Sequence, residues 1–178
     1  PSPGKISFYH PAGGVGSLAG QRGMPMGAGR VIATASTEEK RQLALELGAD
    51  AAIDAAPEGM AERLIEANLG ERVDVVFDPV GGELFTRCLG LLKPLGTAVA
   101  IGFAGGPWEP LDTARLVGRN SGVAGFYLGR LINLDPETVR IAAEDVLRLW
   151  KQAVVHPGVG AGVPRWALAL LPHSRCPP

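Results

Sequence analysis

Gly13, Gly14 and Gly16 stand in the run Ala12-Gly13-Gly14-Val15-Gly16, shortly after the apolar run Ile6-Ser7-Phe8-Tyr9. A strand that runs into a glycine-rich turn brings main chain close to an anion. A helix starting there aims its free N–H groups at the same point. The chemistry this order suits is binding of a dinucleotide pyrophosphate, with Gly13, Gly14, Val15 and Gly16 as the cradle. An ordinary tight turn between strand and helix uses the same residues and is the competing reading. His10 lies three residues before Gly13, where the G-x-G-x-x-G pattern has its first glycine. It reads as a structural histidine rather than a catalytic base, and no residue of the chain presents itself as a general acid.

The tip of the second apolar run is Ala33-Thr34-Ala35-Ser36-Thr37. A site for NAD usually places Asp or Glu there to take the ribose hydroxyls. Here Glu38 and Glu39 come later, in a helical stretch. The hydroxyls of Thr34 and Ser36, with Lys40 and Arg41 as cations, suit a 2′-phosphate, so the expected cofactor is NADP. A capped helix with a solvated lysine is compatible with that reading and with its absence. Two further runs end in Asp78-Pro79-Val80-Gly81 and Gly102-Phe103-Ala104. Ligands of open parallel sheets lie beyond such carboxyl ends. Asp78 reads equally as a ligand contact or as a loop cap.

Rival chemistries lack their residues. Neither Tyr9 nor Tyr127 has a lysine four positions on, and there is no G-x-S-x-G elbow. His10, His156 and His173 are scattered without metal-ligand spacing, so no metal is expected.

The elements that must position these residues alternate between short apolar runs and helical stretches. That order predicts parallel strands joined by crossover helices. Strands are expected at Ile6–Tyr9, Arg30–Thr34, Ala51–Ile53, Val73–Asp78, Thr97–Gly102 and Gly122–Tyr127. Ser36, with Glu39 three residues on, reads as a capping box for a helix whose inner face carries Leu43 and Leu47 and which stops at Gly48. Pro57 suits the first turn of the next helix, with Met60, Ala61, Leu64 and Ile65 at helical spacing and Gly70 ending it. Leu84, Phe85, Cys88, Leu89 and Leu92 form a third such face. Lys93-Pro94-Leu95-Gly96 reads as a turn into the fifth strand. Asp135-Pro136 opens a long helix with Val139, Ala143, Val146, Leu147 and Trp150 turned inward. The fold class is therefore α/β: a doubly wound parallel sheet of the Rossmann type, of about six strands. Residues 1–157 form the dinucleotide-binding domain. Two stretches fit poorly. Gly20, Gly23 and Pro25 weaken the helix after the glycine loop, which is expected to break near Met24. The Gly- and Pro-rich tail, 158–178, is expected to be irregular.

Bulk properties narrow the class. The 178 residues suffice for one domain with a core, and 46% are hydrophobic. A net charge of −1 gives no electrostatic case for nucleic acid or anionic lipid. The apolar runs are strand-sized rather than membrane-spanning. With no signal peptide ahead of the first strand, a cytoplasmic protein is expected. Cys88 and Cys176 are far apart and read as a buried thiol and a tail thiol.

Ala12-Gly13-Gly14-Val15-Gly16-Ser17-Leu18-Ala19 resembles the cofactor loop of the quinone oxidoreductases, the zinc-independent, zeta-crystallin-like branch of the medium-chain dehydrogenase/reductases. The likeness continues through 31–40 and Leu47-Gly48-Ala49-Asp50. It resumes at 73–82 and at Ile101-Gly102-Phe103-Ala104-Gly105-Gly106, so ordered motifs cover roughly residues 3–157. The resemblance implies a role in NADP binding for Ser36 and Lys40. It places the loops with Asp78, Val80, Gly102 and Phe103 beside the nicotinamide and its ribose. It implies NADPH-dependent reduction of a small-molecule quinone or conjugated carbonyl. It also implies a homodimer through strand 122–127, whose exposed edge invites pairing. Members of the family are about twice this length and begin with a barrel-like domain absent from this sequence. The expectation is thus the cofactor-binding portion of such an enzyme, the alternative being a non-catalytic nucleotide-binding or dimerising remnant. Relatives often carry a tyrosine shortly after the third strand, where this chain has Asp54-Ala55.

Overall fold

The computed structural model describes residues 5–9, 21, 28–106 and 110–156. In chain order they form β1 (Lys5–Tyr9), β2 (Ala28–Ala35), α1 (Glu38–Glu46), β3 (Ala51–Asp54), α2 (Met60–Ala67) and β4 (Val73–Asp78). There follow α3 (Gly82–Leu89), β5 (Leu92–Ala100), α4 (Thr113–Arg119), β6 (Gly122–Gly125), α5 (Leu128–Leu134) and α6 (Pro136–Lys151). The strands make one sheet in the order β3-β2-β1-β4-β5-β6, and every pairing is parallel. The chain leaves β1 toward β2 and β3, then crosses back to β4 on the other side of β1. That reversal is the doubly wound arrangement expected from the alternating pattern, and it opens a crevice at the carboxyl end of β1.

Both faces of the sheet are covered. Ile32, Val73, Val76 and Ala98 pack with Met60 and Leu64 of α2 and with Leu84, Phe85, Cys88 and Leu89 of α3. Val31 and Ala33 pack instead with Ala44 of α1 and with Ala49. Each fully buried aliphatic side chain contributes about 1.5–3 kcal/mol, so the first group dominates the core. The second is lined by alanines, which draws α1 close to the sheet. This explains a departure from expectation. Ala44 is the buried residue of α1, while Leu43 sits at the rim and is 50% exposed.

Local signals hold at some element ends and shift at others. Gly48 and Gly70 follow α1 and α2 with φ of 97° and 88°, the left-handed stop expected of them. The cap of α1 is Thr37 rather than Ser36. Thr37 is extended and its hydroxyl accepts from the Lys40 N–H at 3.3 Å, whereas Ser36 lies exposed in the preceding bend. Thr37→Ala should lower the unfolding free energy by about 1 kcal/mol, read from the urea midpoint. Pro57 precedes α2 by three residues, in a turn that ends at Gly59.

The segment Lys93–Gly96 is not a turn before β5 but a bulge inside it. Val73 pairs with Leu92 and Val75 with Thr97, so the intervening residues loop out, with Leu95 at φ 65° and 81% exposed. β5 therefore begins at Leu92 and stops at Ala100, short of Gly102. β6 likewise stops at Gly125, because Phe126 and Tyr127 turn into α5.

Asp135 caps α6 as expected, with Pro136 at the first position. Its carboxylate accepts from the Thr138 N–H at 3.0 Å and the Thr138 hydroxyl at 2.6 Å, and these bonds hold its carboxyl below the ordinary 3.8. A lowered folded value means that the stabilisation is present above the ordinary value and lost as pH falls through the lowered one. Circular dichroism of wild type and Asp135→Asn across pH 2–5 should therefore converge at the acid end. The inward stripe expected on α6 is not buried. Trp150 is 55% exposed, and Val146 and Leu147 are exposed as well.

Cys88 is buried, and that burial, followed by the charge of Asp78, pushes its thiol up to about 12. Cys176, the break near Met24 and the tail 158–178 lie outside the described residues. Gln21 shows how the far end of the domain is tied back. Its side-chain amide donates to the His156 carbonyl at 3.0 Å and accepts from the His156 N–H at 2.6 Å. No described helix is long and apolar enough to cross a membrane.

Candidate functional site

The crevice edge carries the carboxyl ends of β1, β2, β3, β4, β5 and β6. His10, Gly13, Gly14, Val15 and Gly16 lie outside the described residues. They follow β1, the strand at which the order reverses.

At the end of β2 the Thr34 side chain is fully buried, and its Oγ1 has no hydrogen-bond partner among the described residues. An orphaned buried hydroxyl beside the crevice is what a ribose or phosphate oxygen would satisfy. Ser36 and Lys40 are exposed just beyond it, and Lys40 carries no ion pair among the described residues. Arg41 is already engaged. It donates to Glu38 at 2.7 and 3.0 Å, to Asp54 at 3.3 Å and to the Ala35 carbonyl at 3.1 Å. Two carboxylates neutralise it, which leaves Lys40 as the cation facing solvent at this tip. Asp54 also accepts from the Ala56 N–H at 2.8 Å, while Arg63 of α2 donates to the carbonyls of Asp54, Ala56 and Glu58. The β3–α2 loop is therefore held by Arg63 and Asp54, neither of which local patterning marks.

The loops after β4 and β5 are joined backbone to backbone. Ile101 N donates to Asp78 O at 2.9 Å, Ala104 N to Pro79 O at 3.4 Å and Gly105 N to Val80 O at 2.8 Å. Gly102 faces this seam so closely that an added Cβ would lie 2.5 Å from the Pro79 carbonyl oxygen. The absence of a side chain there is a packing requirement. Asp78 is buried, and both carboxylate oxygens are used inside the loop, accepting from Val80 N at 2.7 Å and Gly81 N at 3.0 Å. Burial raises its carboxyl above the ordinary 3.8, and the two N–H bonds hold it back. Asp78 thus shapes the loop, Val80 is half-buried, and Phe103 stands largely exposed at the crest.

Beyond β5 and β6 opens a cavity of about 710 Å³, walled by Phe103, Phe126, Tyr127, Leu131 and Arg130 among others. That volume lies within the range of small-molecule sites. Motif spacing missed this wall because it forms only when α5 folds back over the strand ends. Among the described residues no group of three His, Cys, Asp or Glu is placed to hold a metal ion.

Residues 14–147 match the family described as zinc-binding dehydrogenase. The chain belongs to that family. It is 30% identical over 132 residues to quinone oxidoreductase-like protein 2 of Rattus norvegicus, covering 74% of this chain and 38% of that protein. It is 38% identical over 102 residues to the quinone oxidoreductase of Pseudomonas aeruginosa, covering 57% and 31%. A 2-haloacrylate reductase of a Burkholderia species is 35% identical over 117 residues, covering 65% and 35%. Among solved structures, Escherichia coli quinone oxidoreductase complexed with NADPH superposes with a TM-score of 0.79 at 31% identity, covering 89% of this chain and 48% of that one. A polyketide-synthase domain assigned to enoyl reduction gives 0.74 at 26% identity, covering 91% and 89%. The chain spans about a third of the length of the curated relatives it matches. The matched region is the cofactor-binding half expected from the motifs.

Proposed function

We propose that this chain binds NADPH at the carboxyl edge of its sheet and forms the cofactor-binding half of a reductase for small conjugated carbonyl compounds. The observation that carries this is the β3-β2-β1-β4-β5-β6 order with an orphaned Thr34 hydroxyl and an open Lys40 at the β2 tip, in a chain 31% identical to a structure solved with NADPH. Gly13, Gly14, Val15 and Gly16 would take the pyrophosphate, and Thr34, Ser36 and Lys40 the adenosine ribose and its phosphate. The loops of Asp78, Val80, Gly102 and Phe103 would flank the nicotinamide. The cofactor supplies hydride; the residues of this chain bind and orient it and keep one wall of the site apolar. The names of the relatives include quinone and 2-haloacrylate reductases. Both substrate types carry a double bond conjugated to a carbonyl group, and a quinone-like acceptor is the first to assay.

Lys40→Glu tests the phosphate assignment. Its affinity for NADPH should fall about tenfold, with NADH affinity changed much less, because only the former has a 2′-phosphate to repel. Equal changes for both nucleotides would remove Lys40 from the site.

Association of two copies is part of the same reading. β6 is an edge strand, and α6 exposes Val146, Leu147 and Trp150 close to it in sequence. Sedimentation of the purified chain should give a dimer, and a monomer at all concentrations would exclude pairing through strand 122–127. A non-catalytic dimerising protein is the second reading, which an absence of nucleotide binding would favour. A cytoplasmic location follows from the proposed role and is tested by fractionation.

A further inference from the structure

Arg41 is pinned at the carboxyl end of the β2–β3 ladder, which Ala35 and Asp54 close as partners. The Ala35 carbonyl accepts from the Ala55 N–H at 3.2 Å and from Arg41 Nη1 at 3.1 Å. The same Nη1 reaches Asp54 Oδ2 at 3.3 Å, while Nε and Nη2 share Glu38 Oε2 at 3.0 and 2.7 Å. The Arg41 side chain is 19% exposed, that of Asp54 46% and that of Glu38 77%.

The two carboxylates hold Arg41 unequally. Glu38 takes two donors and sits on the same helix, so it moves with Arg41. Asp54 takes one donor, at longer range, from a different loop. The other oxygen of Asp54, Oδ1, accepts from the Ala56 N–H at 2.8 Å. The half of Asp54 that restrains Arg41 is thus separable from the half that shapes its loop. A one-point ion pair this open to water is weak. A phosphate carries more charge and offers several oxygens to a guanidinium fork, which makes it the stronger partner.

From this we infer that Asp54 is a positioning residue for cofactor choice. It restrains Arg41, and Arg41 exchanges the Asp54 oxygen for the 2′-phosphate when NADPH binds beside Lys40. The inference rests on the NADPH reading above and adds to it the group that competes with the phosphate. Part of the attraction for NADPH goes into displacing Asp54, so the chain discriminates against NADH less sharply than two free cations would allow. NADH has no 2′-phosphate and leaves the Arg41–Asp54 contact in place.

The test measures NADPH and NADH affinity by nucleotide fluorescence on the full chain, as wild type, Asp54→Asn, Arg41→Gln and the double variant. Asparagine at 54 keeps an oxygen for the Ala56 N–H and loses the charge that faces Arg41, and urea midpoints report whether each variant is folded. Asp54→Asn should tighten NADPH about fivefold and change NADH by less than about twofold. Arg41→Gln should weaken NADPH about fivefold, again with NADH little changed. In the Arg41→Gln background, Asp54→Asn should no longer tighten NADPH, because the group it releases is gone. A gain that survives there would mean that Asp54 acts on the phosphate directly, and would overturn the inference. Equal changes for the two nucleotides, the result of a merely structural brace, would overturn it too. Wild-type titration separates the two layers. Saturable NADPH binding that Asp54→Asn leaves unchanged removes the exchange alone, whereas no saturable NADPH binding removes the NADPH reading and the exchange with it.

Discussion

Gly102→Val should lower the unfolding free energy by about 3 kcal/mol and weaken nucleotide binding with it. The reason is local and geometric. A Cβ at this position would lie 2.5 Å from the Pro79 oxygen and 3.2 Å from its carbonyl carbon, both backbone atoms that cannot swing away. The seam that joins the β4 and β5 loops must then open, breaking the bonds from Ala104 and Gly105 to Pro79 and Val80. Gly118 is the matching control. It lies in α4 with open space around an added Cβ, so Gly118→Ala should be neutral or stabilise by about 0.5–1 kcal/mol through helix propensity. Urea midpoints of both variants decide the matter, and an unchanged midpoint for Gly102→Val would show that the loops are not closed in this way.

The second large effect is expected at Asp78. Asp78→Ala should cost about 2–4 kcal/mol, since it strips the acceptor from two N–H groups, those of Val80 and Gly81, next to a buried position. Asp78→Asn keeps one acceptor oxygen and should lose about half as much. The pH dependence has a definite sign. Burial raises the folded carboxyl above its ordinary 3.8, so the native state holds the proton more tightly than the unfolded chain does. The Asp78 contribution is then greatest below the ordinary value and declines as pH rises through the raised one. The stability gap between wild type and Asp78→Ala should therefore be wider at pH 3.5 than at pH 7. A gap that widens with pH would mean that hydrogen bonding, rather than burial, governs this carboxyl.

How far the sequence alone reaches depends on whether a residue acts within its own segment. The six strands, the stops at Gly48 and Gly70, and the cap at Asp135 were legible because period, glycine and proline act locally. So was the buried row of Leu84, Phe85, Cys88 and Leu89. Leu43 misled because the depth of α1 is set by alanines contributed from elsewhere, Ala33 and Ala49. The bulge at Lys93–Gly96 reads like a turn because Pro and Gly mark both, and only the pairing of Val73 and Val75 tells them apart. The stripe on α6 was a true amphipathic signal, but the pattern does not say what covers it. At the carboxyl edge, the ends of β4 and β5 followed from their apolar runs, whereas the engagement of Arg41 by Glu38 and Asp54 needed three elements in place. Arg130 carried no signal at all, since α5 must fold over β5 and β6 before it lines a cavity.

Everything proposed for this chain depends on uptake of NADPH at the carboxyl edge of its sheet. Titrating the full chain while following nucleotide fluorescence tests it directly. NADPH should give a saturable enhancement, about tenfold tighter than NADH, carried by the cation at Lys40. A signal that rises only in proportion to added nucleotide, with no saturation for either, would contradict it.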